Sequence, residues 1–265
     1  MANANTIDVS KFQDPSLFDY QAAKDAGIKT IIIRGGTGNA QDPAAKQHIA
    51  NAKKYGFNWH LYHDWHDGTN EAEFAVQNAH DLGLGADQYL FLDMEGNLPN
   101  DWSNQFENFR DKAKTDFKVG LYCSDSPYKS HFDDAKLQSE NVARWIASYS
   151  YEPQNYDIWQ MSGNGSGGFG TYQHDVDRDY DKNGILLPAP TPQPPAVEQA
   201  DYQQIVMEWG KDTETGYYGR GYSHDNGATF TVTDTTYGRK YRQEDADRLW
   251  PFLKPKIEEL IKNMK

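Results

Sequence analysis

A single cysteine, Cys123, stands in 265 residues, so no disulfide can close within the chain and its stability has to come from packing. No stretch reaches the roughly 18 apolar residues that a membrane-spanning helix requires, and no membrane insertion is expected. Positive charge is scarce: 26 Lys and Arg face 39 Asp and Glu, a formal net charge of −13. Nucleic-acid phosphates or an anionic membrane would be approached against that field, so no nucleic acid is expected as a partner. The opening MANANTIDVS lacks the basic and apolar segments of a secretion signal. The reading therefore expects a first location in a host cytoplasm and any later work outside it to follow release by another agent.

Aromatic residues are plentiful, with 17 Tyr, 12 Phe and 7 Trp. Some must fill cores, and the rest are available as flat platforms for ligands. Five prolines crowd into LLPAPTPQPPAV, where missing amide donors favour an extended, semi-rigid spacer. The organisation expected is a barrel domain at 1–185, a proline-rich linker at 186–197 and a small α+β domain at 198–265. Before Glu198 the chain holds 27 acidic and 16 basic residues, so the acidity belongs to the first domain.

Within that domain, β-branched and aromatic runs at 6–9, 30–34, 58–64, 89–95 and 119–123 alternate with amphipathic stretches, often closed by glycine. Three more candidate strands, 143–149, 156–161 and 173–180, follow too closely for helices between them. The pattern predicts an α/β fold, an irregular TIM-like (β/α)5(β)3 barrel with parallel strands.

In such a barrel the strand ends facing the mouth carry the chemistry. Those ends hold Asp8, Arg34, Tyr62, Asp64, Asp93, Glu95, Trp159, Gln160, Asp175 and Asp177. The segment YLFLDMEG is the most informative. A two-residue period places Asp93 and Glu95 on one side of their strand and Met94 on the other. Two carboxyls confined together cannot both ionise freely, so one keeps a proton, and the longer Glu95 is expected to hold it. Glycoside hydrolysis needs that division of labour, one acid for the leaving oxygen and one carboxylate for the developing cation. The same short pattern also fits solvated strand-end residues or a metal site.

WHLYHDWHDG offers His60, His63, Asp64, His66 and Asp67 as metal ligands, but His60 and His63 lie three apart on a strand and face opposite sides. No metal and no cofactor are expected. GNGSGGFG lacks a lysine and a following helix, and reads as a mobile loop rather than a phosphate cradle.

Eight pieces now line up in one order: IDVSKFQ at 7–13, GIKTIIIR at 27–34, LYH at 61–63, LDME at 92–95, LYCS at 121–124, RWIASY at 144–149, IWQMS at 158–162 and VDRDY at 176–180. Together they resemble the family-25 glycoside hydrolases, the muramidases of bacteriophage endolysins and bacterial autolysins, over nearly all of 5–185. The resemblance implies hydrolysis of the β-1,4 bond between N-acetylmuramic acid and N-acetylglucosamine in peptidoglycan, with retention of configuration. It assigns Glu95 as the general acid, and Asp93, Asp8 and Asp177 as the other catalytic carboxylates. Tyr62 and Trp145 resemble aromatics lining the sugar subsites, and Gln160 falls in the family's WQ element. Arg34, Asp64, Tyr122, Tyr149 and Trp159 complete the expected substrate-binding set. Whether an aspartate or the substrate's own acetamido group attacks C1 stays open. So do two other readings, a non-catalytic wall-glycan binder and a chitinase-like glycosidase. Asp175, Asp177, Asp179 and Asp181 form an unusually acidic row; alternation puts Asp175 and Asp177 on one face, and Asp177 is preferred for the cleft.

Beyond the linker, YQQIVMEWG and ATFTVTDTTYG read as strands and QEDADRLWPFLKPKIEELIKNMK as a helix. Trp209, Tyr217, Tyr218 and Tyr222 suggest a domain that binds cell wall, tethering the barrel to its polymer, with oligomerisation or a purely structural role as the alternatives.

Overall fold

The computed structural model describes residues 3–96, 98, 101–163 and 166–188, and beyond them the backbone of three strands. The chain divides into two compact units, Met1–Thr191 and Pro192–Lys265.

The first unit runs β1 (Thr6–Val9), α1 (Tyr20–Asp25), β2 (Thr30–Thr37), β3 (Ala40–Gln41), α2 (Ala45–Tyr55), β4 (Asn58–Asp64), α3 (Glu71–Asp81) and β5 (Tyr89–Asp93). It continues through α4 (Trp102–Ala113), β6 (Lys118–Ser124), α5 (Asp125–His131), α6 (Asp134–Ser139), β7 (Ala143–Ala147), β8 (Ile158–Ser162) and β9 (Asp177–Asp181). Eight strands close a barrel, because β1 pairs with β2 on one side and β9 on the other. The two-residue β3 forms a hairpin with the end of β2, outside the ring. Helices follow the first five barrel strands, and among the described residues none follows the last three, as the spacing predicted.

Alternation along the strands builds two cores. Ile31, Ile33, Leu61, Leu90, Leu92, Leu121 and Ile146 point outward, against the helices. Ile32, Tyr62, Phe91, Tyr122, Trp145 and Ile158 point inward and fill the barrel. The helices present matching faces: in α2 the buried residues are Ala45, His48, Ile49 and Ala52, one stripe of a 3.6-residue period. Gly56, at φ +70°, ends that helix in the left-handed conformation, its N–H bonded to the Ala52 and Lys53 carbonyls.

The structure corrects the sequence reading at several points. The last barrel strand is antiparallel to both neighbours. Its amino end, not its carboxyl end, therefore reaches the mouth of the barrel. Strand β5 stops at Asp93, which leaves Glu95 beyond it, although the Met94 N–H still bonds the Tyr122 carbonyl at 2.9 Å and prolongs the alternation. Just past the expected boundary at 185 the chain still packs onto the barrel. Leu186 is 1% exposed, its N–H bonds Asp181 at 3.0 Å, and its carbonyl lies 2.9 Å from His60 Nε2. The described part of the glycine-rich loop between β8 and β9 is anchored rather than free: Arg178 donates to the Gly167 and Gly168 carbonyls and lies 3.6 Å over the Phe169 ring.

In the second unit β10 (Ile205–Trp209), β11 (Gly219–Ser223) and β12 (Thr231–Thr233) make an antiparallel sheet in that order. From residue 189 the linker lies outside the described residues, as do the expected helix and the side chains proposed to bind wall. No helix among the described residues is long and apolar enough to cross a membrane.

Candidate active site

The barrel mouth holds a cavity of about 320 Å³ lined by Asp8, Ser10, Phe12, Gln13, Arg34, Tyr62, Asp64, Asp93, Glu95, Tyr122, Trp145, Gln160, Asp175 and Asp177. Strand register explains the convergence. Asp8 stands opposite Asp177, Asp64 opposite Asp93, and Asp93 opposite Tyr122, so neighbouring strands deliver their polar ends at one level. Asp93 and Glu95 both line the cavity while Met94 is buried in the outer core, the arrangement a two-residue period requires.

Six carboxyl groups and one guanidinium share this lining. Arg34 is held by a buried 2.7 Å ion pair with Asp42, approaches Asp64 at 3.7 Å and lies 5.2 Å beneath the Phe12 ring. Crowded acids in a low-dielectric wall retain protons. Burial pushes Asp93 well above the usual carboxylate range, with the Glu95 charge adding to it. Burial and the Asp177 charge do the same to Asp8. Asp177 is pushed up to about 6 by burial and the Glu95 charge. Glu95 is raised too, by the protein mass around the mouth and the Asp64 charge, against a hydrogen bond with the Tyr122 hydroxyl. The strongest push in the pair thus falls on Asp93 rather than the longer Glu95. Depth is the reason: Asp93 Oδ1 is buried without a hydrogen-bond partner among the described residues, whereas Glu95 opens to the cleft.

Below the mouth a polar network ties the strands together. Trp145 Nε1 donates to Asp179 at 2.7 Å, Gln160 Nε2 donates to Asp8 at 2.8 Å, and the Tyr122 and Tyr149 hydroxyls donate to Gln160 Oε1 at 2.7 and 2.9 Å. The acidic row on β9 is split by depth. Asp177 reaches the cavity, buried Asp179 contacts Asp8, and Asp181 accepts the Ile185 and Leu186 N–H groups at the barrel floor.

Of the expected site residues, Glu95, Asp93, Asp8, Asp177, Tyr62, Asp64, Arg34, Tyr122, Trp145 and Gln160 line the cavity. Tyr149 is not part of the lining, but its hydroxyl bonds the lining residue Gln160 while the residue as a whole is 62% exposed. Trp159 does not join them. Its neighbours Ile158 and Gln160 face inward, so Trp159 faces outward, packs near Tyr156 and donates to the Ser148 carbonyl at 2.7 Å. Ser10, Phe12 and Gln13 were missed; they lie just past β1, on the loop that Asp8 leads into. His60 and His63 do face opposite ways: His60 bonds the barrel floor, and His63 bonds Glu71 at 3.0 Å on the helical side. Among the described residues no group of three His, Cys, Asp or Glu could hold a metal ion.

The family model described as glycosyl hydrolases family 25 matches residues 7–176. The catalytic domain of endolysin ply40 from bacteriophage P40 of Listeria monocytogenes is 29% identical, over 70% of this chain and 96% of that one, with a TM-score of 0.57. The bacterial lysozyme from Streptomyces coelicolor shares the fold at 20% identity, over 70% and 96% of the two chains, with a TM-score of 0.59. A family 25 glycosyl hydrolase from Bacillus anthracis does so at 17% identity, over 70% and 93%, with a TM-score of 0.56. No curated protein matches the chain. With most of its barrel covered by the family model and its acidic strand ends gathered at one mouth, the chain belongs to family 25 of the glycosyl hydrolases.

Proposed function

We propose that this enzyme is an endolysin-type muramidase that hydrolyses the β-1,4 bond between N-acetylmuramic acid and N-acetylglucosamine in peptidoglycan, with retention of configuration. The observation carrying this reading is that Asp8, Asp93, Glu95 and Asp177, from three strands, line one cavity whose crowding favours protonated carboxyls. Glu95 is the general acid. It stands at the open edge of the cluster, where a glycosidic oxygen can reach it, and burial with the Asp64 charge shifts it toward the protonated form that an acid needs. Asp177, pushed up only to about 6, is mostly ionised at neutral pH and supplies negative charge toward the oxocarbenium-like centre. Asp93 and Asp8 lie beside it in the cluster, and Tyr62, Tyr122 and Trp145 wall the sugar.

Hydrogen-bonded assistance by an acid typically contributes about a hundred- to ten-thousand-fold in rate. Glu95→Gln should therefore lose activity by about that factor while its circular dichroism and melting remain those of the parent. Near-normal lysis by that variant would refute Glu95 as the acid. Mass spectrometry of digested peptidoglycan checks the substrate: new reducing ends on muramic acid are expected. Ends on glucosamine would point to the chitinase-like alternative, and no new ends to a wall-binding barrel without catalysis. The residues after 197 are proposed to hold the enzyme on the wall, and release from a host cytoplasm to bring it there.

A further inference from the structure

Among the described residues four large apolar side chains stand exposed, Phe12, Leu17, Tyr149 and Tyr151. All four lie on segments that leave the carboxyl ends of β1 and β7, the ends that reach the barrel mouth. Apolar surface left open beside a cleft marks a ligand contact. Phe12 is the most open of them, at 71% exposed, and it alone of the four lines the cavity that holds Asp8, Asp93, Glu95 and Asp177.

An exposed phenylalanine on a slack loop would fold down against its surroundings. Phe12 is held up. One oxygen of the buried Asp42 accepts the Lys11 N–H at 3.1 Å and the Arg34 Nε–H at 2.7 Å, so a single group fixes both the backbone before Phe12 and the guanidinium beneath its ring. Arg34 Cζ lies 5.2 Å from the ring centroid. The Phe12 N–H bonds Ser10 Oγ at 3.3 Å, the Ser10 N–H bonds Gln13 Oε1 at 3.0 Å, and Gln13 Nε2 donates to the Asp175 carbonyl at 3.2 Å. The Lys11 ammonium, 5.4 Å from the same ring, belongs to an exposed side chain that can turn aside. A ring fixed in this way loses little freedom when a ligand covers it. A phenyl group has no donor or acceptor, so it recognises a flat face of C–H bonds, whose positive edge meets the negative face of the ring. A β-1,4-linked hexopyranose with equatorial substituents presents such a face.

We propose that Phe12 is the platform of an outer sugar subsite, on which a further amino sugar of the glycan strand stacks beside the pair whose bond is cut. The inference rests on the muramidase reading and adds strand length to what the cleft recognises. In the full-length protein, kcat and KM are measured on peptide-free glycan strands of increasing length. KM of the parent should fall in a step once the strand is long enough to cover Phe12. Phe12→Ala should lose that step, with KM on long strands about three- to tenfold higher, the range of one aromatic contact, and kcat unchanged. Phe12→Trp restores a flat ring and should regain the step. Melting should match the parent in both variants, because the ring is largely exposed. Parent-like KM at every length in Phe12→Ala overturns the platform. A fall in kcat at unchanged KM overturns it too, since Phe12 would then act only as a cover for Arg34. So does a rise in KM that Phe12→Trp leaves uncorrected, which would trace the effect to a shifted loop. A parent that cleaves no strand of any length removes the muramidase reading and the platform with it, whereas cleavage without a step in length removes the platform alone.

Discussion

Asp177 shows how a single carboxyl links the cleft to the stability of the fold. An unfolded aspartate titrates near 3.9, whereas in the folded chain burial and the Glu95 charge push Asp177 up to about 6. The folded state thus prefers the protonated form. Between about pH 4 and 6 the unfolded chain ionises more readily than the folded one, so stability is lost as pH rises through that window. Asp177→Asn should abolish this contribution. Discounted for its partly solvated setting, the gain at pH 7 is expected to be about 2–4 °C in Tm, the span of roughly 1 kcal/mol in a chain of this size. The gain should vanish toward pH 4, and scanning calorimetry at the two pH values checks both halves. A Tm difference that is the same at pH 4 and pH 7 would mean that the Asp177 charge is not the cause. Activity should fall in the same variant, since the cluster that strains the fold also forms the cleft.

Among the elements, β6 carries a constraint that composition alone does not reveal. Gly120 lies at an inward position of the barrel, and a Cβ there would collide with the Phe91 ring from β5. Gly120→Ala overpacks this layer and should cost about 1–3 kcal/mol. Urea unfolding should show a lower midpoint at an unchanged slope, and adding Phe91→Leu should recover part of the loss. A neutral Gly120→Ala would mean that the layer has room to spare. The same alternation that sets Gly120 inside made eight strands legible beforehand, because the periods of two and of 3.6 are local properties of the chain. Strand direction was not legible. The antiparallel course of β9 depends on how the 163–176 loop returns the chain, and no local period reports that. Trp159 falls outside the cleft for a related reason: strand-end position does not tell inward from outward residues, and the register of β8, the seventh barrel strand, set by Gln160 meeting Asp8, exists only once β1 and β8 share a barrel.

For the molecule as a whole, charge and chain organisation give two further expectations. The net charge is −13, and peptidoglycan carries carboxylates of its own, so enzyme and polymer repel at low ionic strength. Lysis rates should rise as salt is added up to about 0.1 M, where the screening length is about 10 Å. A rate that falls steadily with salt would instead indicate a basic docking surface. The barrel unit ends at Thr191, beyond the buried Leu186. A chain stopped after Thr191 should keep its kcat/KM on soluble glycan while losing rate on intact walls. One stopped after Gly184 lacks the Leu186 plug and should melt several degrees lower, since losing a buried leucine typically costs about 2–5 kcal/mol. Equal melting of the two would place the domain boundary at 185 after all.

By itself the sequence determined the number and order of the barrel elements, the acidic character of the mouth and the pairing of Asp93 with Glu95. Each of these follows from local alternation and from which residue types stand at strand ends. Only the tertiary structure decided which member of the pair lies deeper, that Asp177 faces Asp8 from an antiparallel strand, and that Gln160 links Asp8 to Tyr122. Those facts depend on contacts between residues as many as 169 positions apart, and burial, which sets where protons reside, is a property of the closed barrel and of no segment within it.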